Sequence, residues 1–174
     1  MLLLGASCYF YMVFKPVYLL ILFFTIVIDY VAGIWIEQTH DAHKKKLLLI
    51  VSLISNIGIL AFFKYYDFLG ESLNGILQTA GLRAVVPPLD GLLPHRVAEW
   101  MVNGAGQVIL PIGLSFHTFQ AMSYTIEVYK GKQAAERHFG IYALYVMFYP
   151  QLVAGPIERP QNMLFQYHTF FKYD

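Results

Sequence analysis

The feature that most constrains this chain is an apolar run at residues 17–36, whose only charged residue is Asp29. About 20 mostly apolar residues in a helix are enough to cross the roughly 30 Å hydrocarbon core of a bilayer. Inside that core the backbone must satisfy its own polar groups, which helices and closed barrels do. The run therefore predicts a membrane-spanning helix.

The composition agrees with a membrane protein and argues against a soluble domain. Charged residues make up 13% of the chain, against about 25% in a typical soluble domain. Hydrophobic residues make up 57% and aromatic residues 17%, which suits lipid contact and interfacial belts. A net charge of +1 without a clustered basic face gives no reason to expect a nucleic-acid partner. The single cysteine, Cys8, excludes an internal disulfide and is interpreted as a small apolar residue.

Other apolar segments follow the same logic. Residues 47–66 and 108–129 are long enough to span, whereas 1–14 and 139–155 are short. The first short segment ends at Lys15-Pro16 and is half a span, a re-entrant segment or an interfacial one. The second reaches Gly155-Pro156, where we expect a helix broken within or at the edge of the membrane.

Residues 70–106 contain several prolines and glycines, including Pro87-Pro88, and are predicted to be an extramembranous loop with short amphipathic pieces. The predicted fold class is therefore all-α: a multi-spanning transmembrane helical protein with broken, re-entrant and interfacial helices, forming one membrane domain over residues 1–174.

Loop charges predict the orientation. Residues 37–46 and 130–138 each carry three Lys or Arg residues, and the predicted crossings place both loops on one side. Because cytoplasmic loops are enriched in Lys and Arg, this side is expected to be cytoplasmic and the loop at 70–106 to face outward.

A polar stripe crosses the span at 108–129. Gly113, His117, Gln120, Tyr124 and Glu127 follow one another at spacings of four, three, four and three, which places them on one helix face. Such a face must contact protein or a water-filled cavity. Two interpretations stay open: hydrogen bonding between helices, or the wall of a substrate tunnel.

A second polar segment runs from Pro150 to Pro160. Gln151 lies within it, and Glu158 and Arg159 follow the glycine–proline break, where they would place charge at a cavity mouth. The alternative is an ordinary helix end with its charges among lipid headgroups. His40, His43 and His138 lie in polar loops without a second ligand at suitable spacing, so no metal site is predicted.

Two further polar sets lie in the other spans. Asp29 shares a face with Thr25 and Gly33, and Asn56 lies near Ser52, Ser55 and Gly58. Small and polar residues of this kind are typical of closely packed helices, and we interpret both sets as packing contacts.

The segments 110–120 and 123–131, followed by 148–159, resemble the alginate O-acetyltransferase branch of the membrane-bound O-acyltransferases. Asn56 and Gly58, with Phe63-Lys64-Tyr65, fit the upstream span of that branch. The resemblance covers nearly the whole chain.

The resemblance implies a multi-pass enzyme of the bacterial inner membrane. It would transfer an acyl group, expected to be acetyl, from a donor such as acetyl-CoA or an acyl carrier to hydroxyls of an extracytoplasmic polysaccharide such as alginate. It implies no bound cofactor. The implied partners are the lipid bilayer, the polysaccharide acceptor and periplasmic or extracellular acetylation partners. A histidine in the second half of such enzymes is expected to act as general base.

The chain departs from that family at both ends. The family usually has another hydrophobic segment before the position of Leu2, and no Trp-, Arg- and His-rich signature follows Pro160. We therefore expect an N-terminal portion that lacks the catalytic histidine, is inactive alone and needs the missing C-terminal half. The alternative is a noncatalytic membrane subunit for transport or assembly in polysaccharide export or modification; an ion or proton channel along the stripe is a weaker idea. We predict no catalytic residue in this chain. The candidate tunnel-lining or substrate-lining residues are His117, Gln120, Tyr124, Glu127, Gln151, Glu158 and Arg159.

Overall fold

The computed structural model describes residues 2–14, 16–81, 86–87, 113–155 and 158–168. These residues form α-helices joined by turns and short extended segments, and the predicted all-helical class is confirmed for them. The helices are α1 Leu2–Phe14, α2 Pro16–Gln38, α3 Ala42–Thr79, α4 Leu114–Tyr129, α5 Phe139–Met147, α6 Tyr149–Ala154 and α7 Pro160–His168.

Two of the described helices are long and apolar enough to cross a membrane. They are Leu19–Gln38 within α2 and Ala42–Tyr66 within α3, in the regions where the sequence predicts its first two full spans. The apolar part of α1, Leu2–Val13, is shorter. Of the span predicted at 108–129 the structure describes α4, and residues 108–112 lie outside the described part, so this third crossing stays a prediction.

The ends of these helices follow local chemistry. Pro16 opens α2, where its missing N–H would have no intrahelical partner in any case. Asp41 precedes α3, and its Oδ1 accepts a hydrogen bond from the His43 amide at 2.9 Å, as an N-cap residue does. Gly131 ends α4 at φ 70°, and the amides of Gly131 and Lys132 donate to the carbonyls of Val128 and Glu127. That pair of bonds is a Schellman motif, which favours glycine at this position.

Helix α3 is longer than the sequence pattern indicates. It continues through Thr79, so residues 70–79, which the sequence assigns to a loop, are helical. Neither Gly70 nor Gly75 ends the helix, because glycine costs only about 1 kcal/mol in a helix interior. Most of the remaining predicted loop, 82–85 and 88–106, lies outside the described residues.

The broken helix at 139–155 breaks earlier than predicted. Helix α5 ends at Met147, Phe148 is extended at φ −60° and ψ 104°, and α6 then begins at Tyr149. Pro150 explains this break, because it cannot donate to the Val146 carbonyl and its ring would collide with that carbonyl in a continuous helix. Gly155 is also extended, and the Pro156 side of the predicted break lies outside the described residues.

The chain divides into two compact units, Met1–Ile57 with Ile112–Asp174 and Gly58–Pro111. In the first unit α2 packs against α1, α4 and α5. Its core contains Leu22 and Ile26 of α2 and a group of tyrosine rings, Tyr124, Tyr142 and Tyr145. In the second unit Asn74 holds Val86 by two hydrogen bonds, one from and one to its side-chain amide.

Candidate functional site

The polar stripe of α4 is turned into the protein. His117, Gln120 and Tyr124 are fully or almost fully buried, and Gly113, at φ 78°, supplies the left-handed turn from which the helix starts. His117 Nε2 lies 2.7 Å from Thr25 Oγ1 of α2. The Thr25 hydroxyl also lies 2.8 Å from the Leu22 carbonyl, so it can donate to this carbonyl or to His117 Nε2, and the tautomer of His117 decides between them.

Gln120 serves the broken helix beside it. Its Nε2 donates to the Tyr145 carbonyl at 2.7 Å, one of the last carbonyls of α5, which have no intrahelical partner because Pro150 interrupts the helix. The same Nε2 lies 3.3 Å from Oε1 of Gln151 in α6. The stripe therefore supplies hydrogen bonds that a broken helix needs in an apolar surrounding.

Tyr124 joins α4 to α2 and to the segment after α4. Its hydroxyl accepts a hydrogen bond from the Glu136 amide at 2.9 Å. Its ring lies so close to Gly33 of α2 that a Cβ at position 33 would stand 2.8 Å from Tyr124 Cε1. The predicted packing role of Gly33 is thereby confirmed.

The two polar sets of the other spans meet each other. Asp29 of α2 is fully buried, and its Oδ1 accepts hydrogen bonds from Ser52 Oγ at 2.6 Å and from Asn56 Nδ2 at 2.8 Å. Ser52 Oγ also lies 3.4 Å from Thr125 Oγ1 of α4. Asp29, Ser52, Asn56 and Thr125, which we call the Asp29 cluster, tie α2, α3 and α4 together, as the packing interpretation predicts.

A pocket with a mixed polar and apolar lining lies next to the second predicted segment, between α6 and α7. We call it the polar cavity because four polar side chains line it: Gln151, Glu158, Asn162 and Gln166. It has a volume of about 370 Å³ and is lined by Phe148, Pro150, Gln151, Gly155, Glu158, Asn162, Met163 and Gln166. Gln151 and Glu158 are candidate residues of the sequence analysis, and Gln120 lies behind them through its contact with Gln151. Among the described residues of this lining, Glu158 is the one that is ionisable, and none of them is a histidine.

Gly155 closes one side of this cavity by close backbone contact. A Cβ at position 155 would stand 2.6 Å from Gln151 Cα, and the Gly155 amide donates to the Gln151 carbonyl at 2.9 Å. Only glycine permits this approach without displacement. The chain therefore turns sharply from α6 while keeping Gln151 at the cavity wall.

The other candidates lie apart from this lining. Glu127 is half-buried and accepts a hydrogen bond from Gln161 Nε2 of α7 at 2.7 Å, and Arg159 is exposed. Two polar lining residues, Asn162 and Gln166, are not among the candidates from the sequence. Their spacing of four on α7 places them on one helix face, and this pattern is the signal that could have indicated them.

The structure places the two cationic loops at the same end of their helices. Glu37 at the end of α2 forms an ion pair with Arg137 and accepts a hydrogen bond from the Ala135 amide at 3.0 Å. The Tyr30 hydroxyl donates to the Arg137 carbonyl at 2.6 Å. These contacts bring Glu37 and Tyr30 together with residues 135–137. That residues 37–46 and 130–138 lie on one side of a membrane, and that this side is cytoplasmic, stay predictions.

Helix α7 is fixed to the same region. His168 Nε2 lies 2.7 Å from Glu136 Oε2, and burial raises the pKa of the Tyr167 hydroxyl to about 12. Within the described ranges, no three His, Cys, Asp or Glu side chains are grouped in a way that could hold a metal ion.

The sequence is similar to those of known O-acetyltransferases. The chain is 32% identical over 99% of its length to a probable alginate O-acetylase AlgI of Pseudomonas aeruginosa, of which it covers 31%. It is 31% identical over 93% of its length to a peptidoglycan O-acetyltransferase of Helicobacter pylori, again covering 31% of that protein. The chain belongs to the membrane-bound O-acyltransferase family. A probable alginate O-acetylase AlgI of Pseudomonas putida is 33% identical over 72% of the chain.

This membership agrees with the family resemblance of the motifs and with membrane association. The chain spans less than a third of the length of these O-acetyltransferase relatives. No family model matches the sequence, and no solved structure matches it.

Proposed function

We propose that this chain forms part of a membrane-bound O-acetyltransferase whose acceptor is a hydroxyl of an extracytoplasmic glycan. The observation that carries the proposal is the polar cavity at Gln151 and Glu158, built from the segment that resembles the family signature. Two relatives named for alginate and for peptidoglycan support a glycan acceptor. We place the protein in the bacterial inner membrane as a multi-pass protein, with the cationic loops in the cytoplasm.

In the proposed reaction the acceptor hydroxyl oxygen attacks the carbonyl carbon of an acetyl thioester, from acetyl-CoA or an acyl carrier. A C–O bond forms, the C–S bond breaks, and the hydroxyl proton goes by way of a general base to the leaving thiolate. The amide groups of Gln151 and Asn162 would orient the acceptor, and holding both reactants together supplies the proximity contribution.

We further propose that the general base comes from outside this chain's described residues. Two of the described histidines have side-chain partners: His117 is buried against Thr25, and the exposed His168 is paired with Glu136. His40, His43 and His138 are exposed. None of these five lines the cavity.

A chimera tests the proposal. Residues 1–174 replace the matching third of the probable alginate O-acetylase of Pseudomonas aeruginosa, and the acetyl content of the alginate is measured. We expect acetylation to be retained and then lost at least tenfold in Gln151→Ala or Glu158→Ala, whereas Lys132→Gln, at an exposed position, keeps it. A folded chimera that acetylates equally well with both cavity variants would contradict the assignment of this cavity.

The chain alone provides the complementary experiment. Reconstituted in liposomes with acetyl-CoA and an alginate oligomer, it should give no turnover above the protein-free rate. Turnover would overturn the expectation that the chain is inactive alone. A folded chimera that cannot acetylate would favour the alternative, a noncatalytic subunit for transport or assembly.

A further inference from the structure

An apolar groove runs between the two helices that are long enough to span a membrane. It has a volume of about 290 Å³, and the described residues that line it are different from those that line the polar cavity. Its lining consists of Val27, Ile28, Val31, Ala32 and Trp35 of α2 with Leu48, Val51 and Ser52 of α3. Trp35 and Val51 are each more than half exposed.

The groove exists because α2 and α3 are joined by polar contacts rather than by interlocking apolar side chains. Ser52 and Asn56 reach Asp29 at the base, and the residues on the outer faces of the helices do not close over them. Apolar walls between two spanning helices offer a saturated chain the same environment as the surrounding hydrocarbon, with additional van der Waals contact.

Positive charge stands at one end of this groove. Lys44 precedes Leu48 by four residues and Val51 by seven, so it continues the lining of α3 by one turn. Its side chain is exposed, whereas Lys45 lies over the Tyr129 ring, with Nζ 5.8 Å from the ring centroid. Trp35 stands at the same end, in the last turn of α2, where an amphipathic ring suits the headgroup region.

The helix geometry increases the attraction of this end for an anion. Three lysines occupy the start of α3 and no acidic residue lies in its first turn, although the positive end of the helix dipole disfavours cations there. Of the nearby acids, Asp41 caps the His43 amide and Glu37 is paired with Arg137. A phosphate beside Lys44 would meet both the ammonium group and the helix N-terminus.

We propose that this groove binds an anionic phospholipid, with one acyl chain between α2 and α3 and the phosphate at Lys44. The apolar lining fits the chain and the cationic end fits the headgroup. The occupant is therefore a lipid with net negative charge, such as phosphatidylglycerol, rather than a zwitterionic one.

Trp35 reports directly on the groove. The chain has two tryptophans, and Trp100→Phe leaves Trp35 as the only one. The protein carrying this change is placed in phosphatidylcholine bilayers, and phosphatidylglycerol with one brominated acyl chain is added at increasing mole fraction. We expect half-maximal quenching of Trp35 fluorescence at a mole fraction at least fivefold lower than with brominated phosphatidylcholine.

Matched variants separate the headgroup from the groove. Lys44→Gln should raise the mole fraction for half-maximal quenching by brominated phosphatidylglycerol about fivefold, as roughly 1 kcal/mol for a lysine near anionic lipid predicts. Lys46→Gln removes the same charge from another face of α3 and should change it less than twofold. Val51→Phe, which fills the groove, should weaken quenching by both lipids.

Three results would overturn the proposal. The first is equal quenching by the two brominated lipids, as expected for lipid that only surrounds the protein. The second is no quenching by either, which would mean that a second copy or another protein segment covers the groove. The third is equal effects of Lys44→Gln and Lys46→Gln.

Discussion

His117 Nε2 lies 2.7 Å from Thr25 Oγ1, and this bond joins two helices whose histidine and threonine are 92 residues apart in the chain. Both side chains are buried, at 0% and 2% exposure. A histidine in an apolar setting without a partner is costly, so the threonine opposite it has a structural role. The bond favours hydrogen bonding between helices as the role of this part of the polar stripe.

Removing the threonine hydroxyl should therefore destabilise the protein. We expect Thr25→Val to lower the free energy of unfolding by about 1–3 kcal/mol, because the buried imidazole loses its partner. The measurement is denaturant unfolding in detergent micelles. Thr39→Val is the control, since the bond described for Thr39 Oγ1 is local and goes to the Trp35 carbonyl four residues earlier. Equal losses in the two variants would contradict the prediction.

Gly33 has no room for a side chain. A Cβ there would stand 2.8 Å from Tyr124 Cε1, so Gly33→Ala should cost about 1–3 kcal/mol of unfolding free energy through overpacking. Gly5→Ala is the matched control, because nothing lies within 4 Å of a Cβ at that position. Gly33→Ala should cost less unfolding free energy in a Tyr124→Leu background than in the unaltered protein, because the ring that the new Cβ meets is then absent. A fully additive double variant would argue against this contact.

The Asp29 cluster holds α3 in place. Asp29→Ala removes the carboxylate that accepts from Ser52 Oγ and Asn56 Nδ2. We expect a loss of about 2–4 kcal/mol of unfolding free energy, with faster amide exchange in the part of α3 near Asn56. Asp29→Asn keeps the size and one acceptor oxygen, so its loss should be smaller. Glu71→Ala, which removes an exposed acid from the same helix, should leave the exchange unchanged.

The ion pair between Glu37 and Arg137 should contribute less to the free energy of unfolding than the hydrogen bond that Glu37 accepts from the Ala135 amide. The Arg137 side chain is 59% exposed, so Arg137→Ala should cost at most about 1 kcal/mol and less at high salt. Glu37→Ala should cost more, because the Ala135 amide then loses its acceptor as well. Unfolding of both variants at low and high salt measures this order, and the reverse order would contradict it.

The periodicity and chemistry of the residues were enough to predict which helix faces are buried. The spacing of His117, Gln120 and Tyr124 placed them on one face, and the structure turns that face inward. The small and polar residues around Asp29 and Asn56 indicated helix packing, because such residues are seldom left facing lipid. The sequence could not predict which polar residues of one helix contact those of another, because spacing within a helix carries no information about the neighbouring helix.

Some helix boundaries depended on the relative strength of several helix-breaking residues, which a sequence pattern does not give. Proline and glycine at 155–156 indicated a break, yet Pro150 had already ended α5 at Met147. Glycines at 70 and 75 suggested a loop, yet α3 continued through both because the cost of each is small. Two polar lining residues of the cavity, Asn162 and Gln166, were missed because they lie on a short and weakly apolar helix.

By itself the sequence determined the helical, membrane-associated character of this protein. Long apolar runs have few ways to satisfy their backbone in a bilayer, and that constraint is local. Only the tertiary structure decided the partners: Thr25 for His117, the Tyr145 carbonyl for Gln120, and Ser52 and Asn56 for Asp29. These pairs join segments 23 to 92 residues apart, so they exist only once the helices have packed.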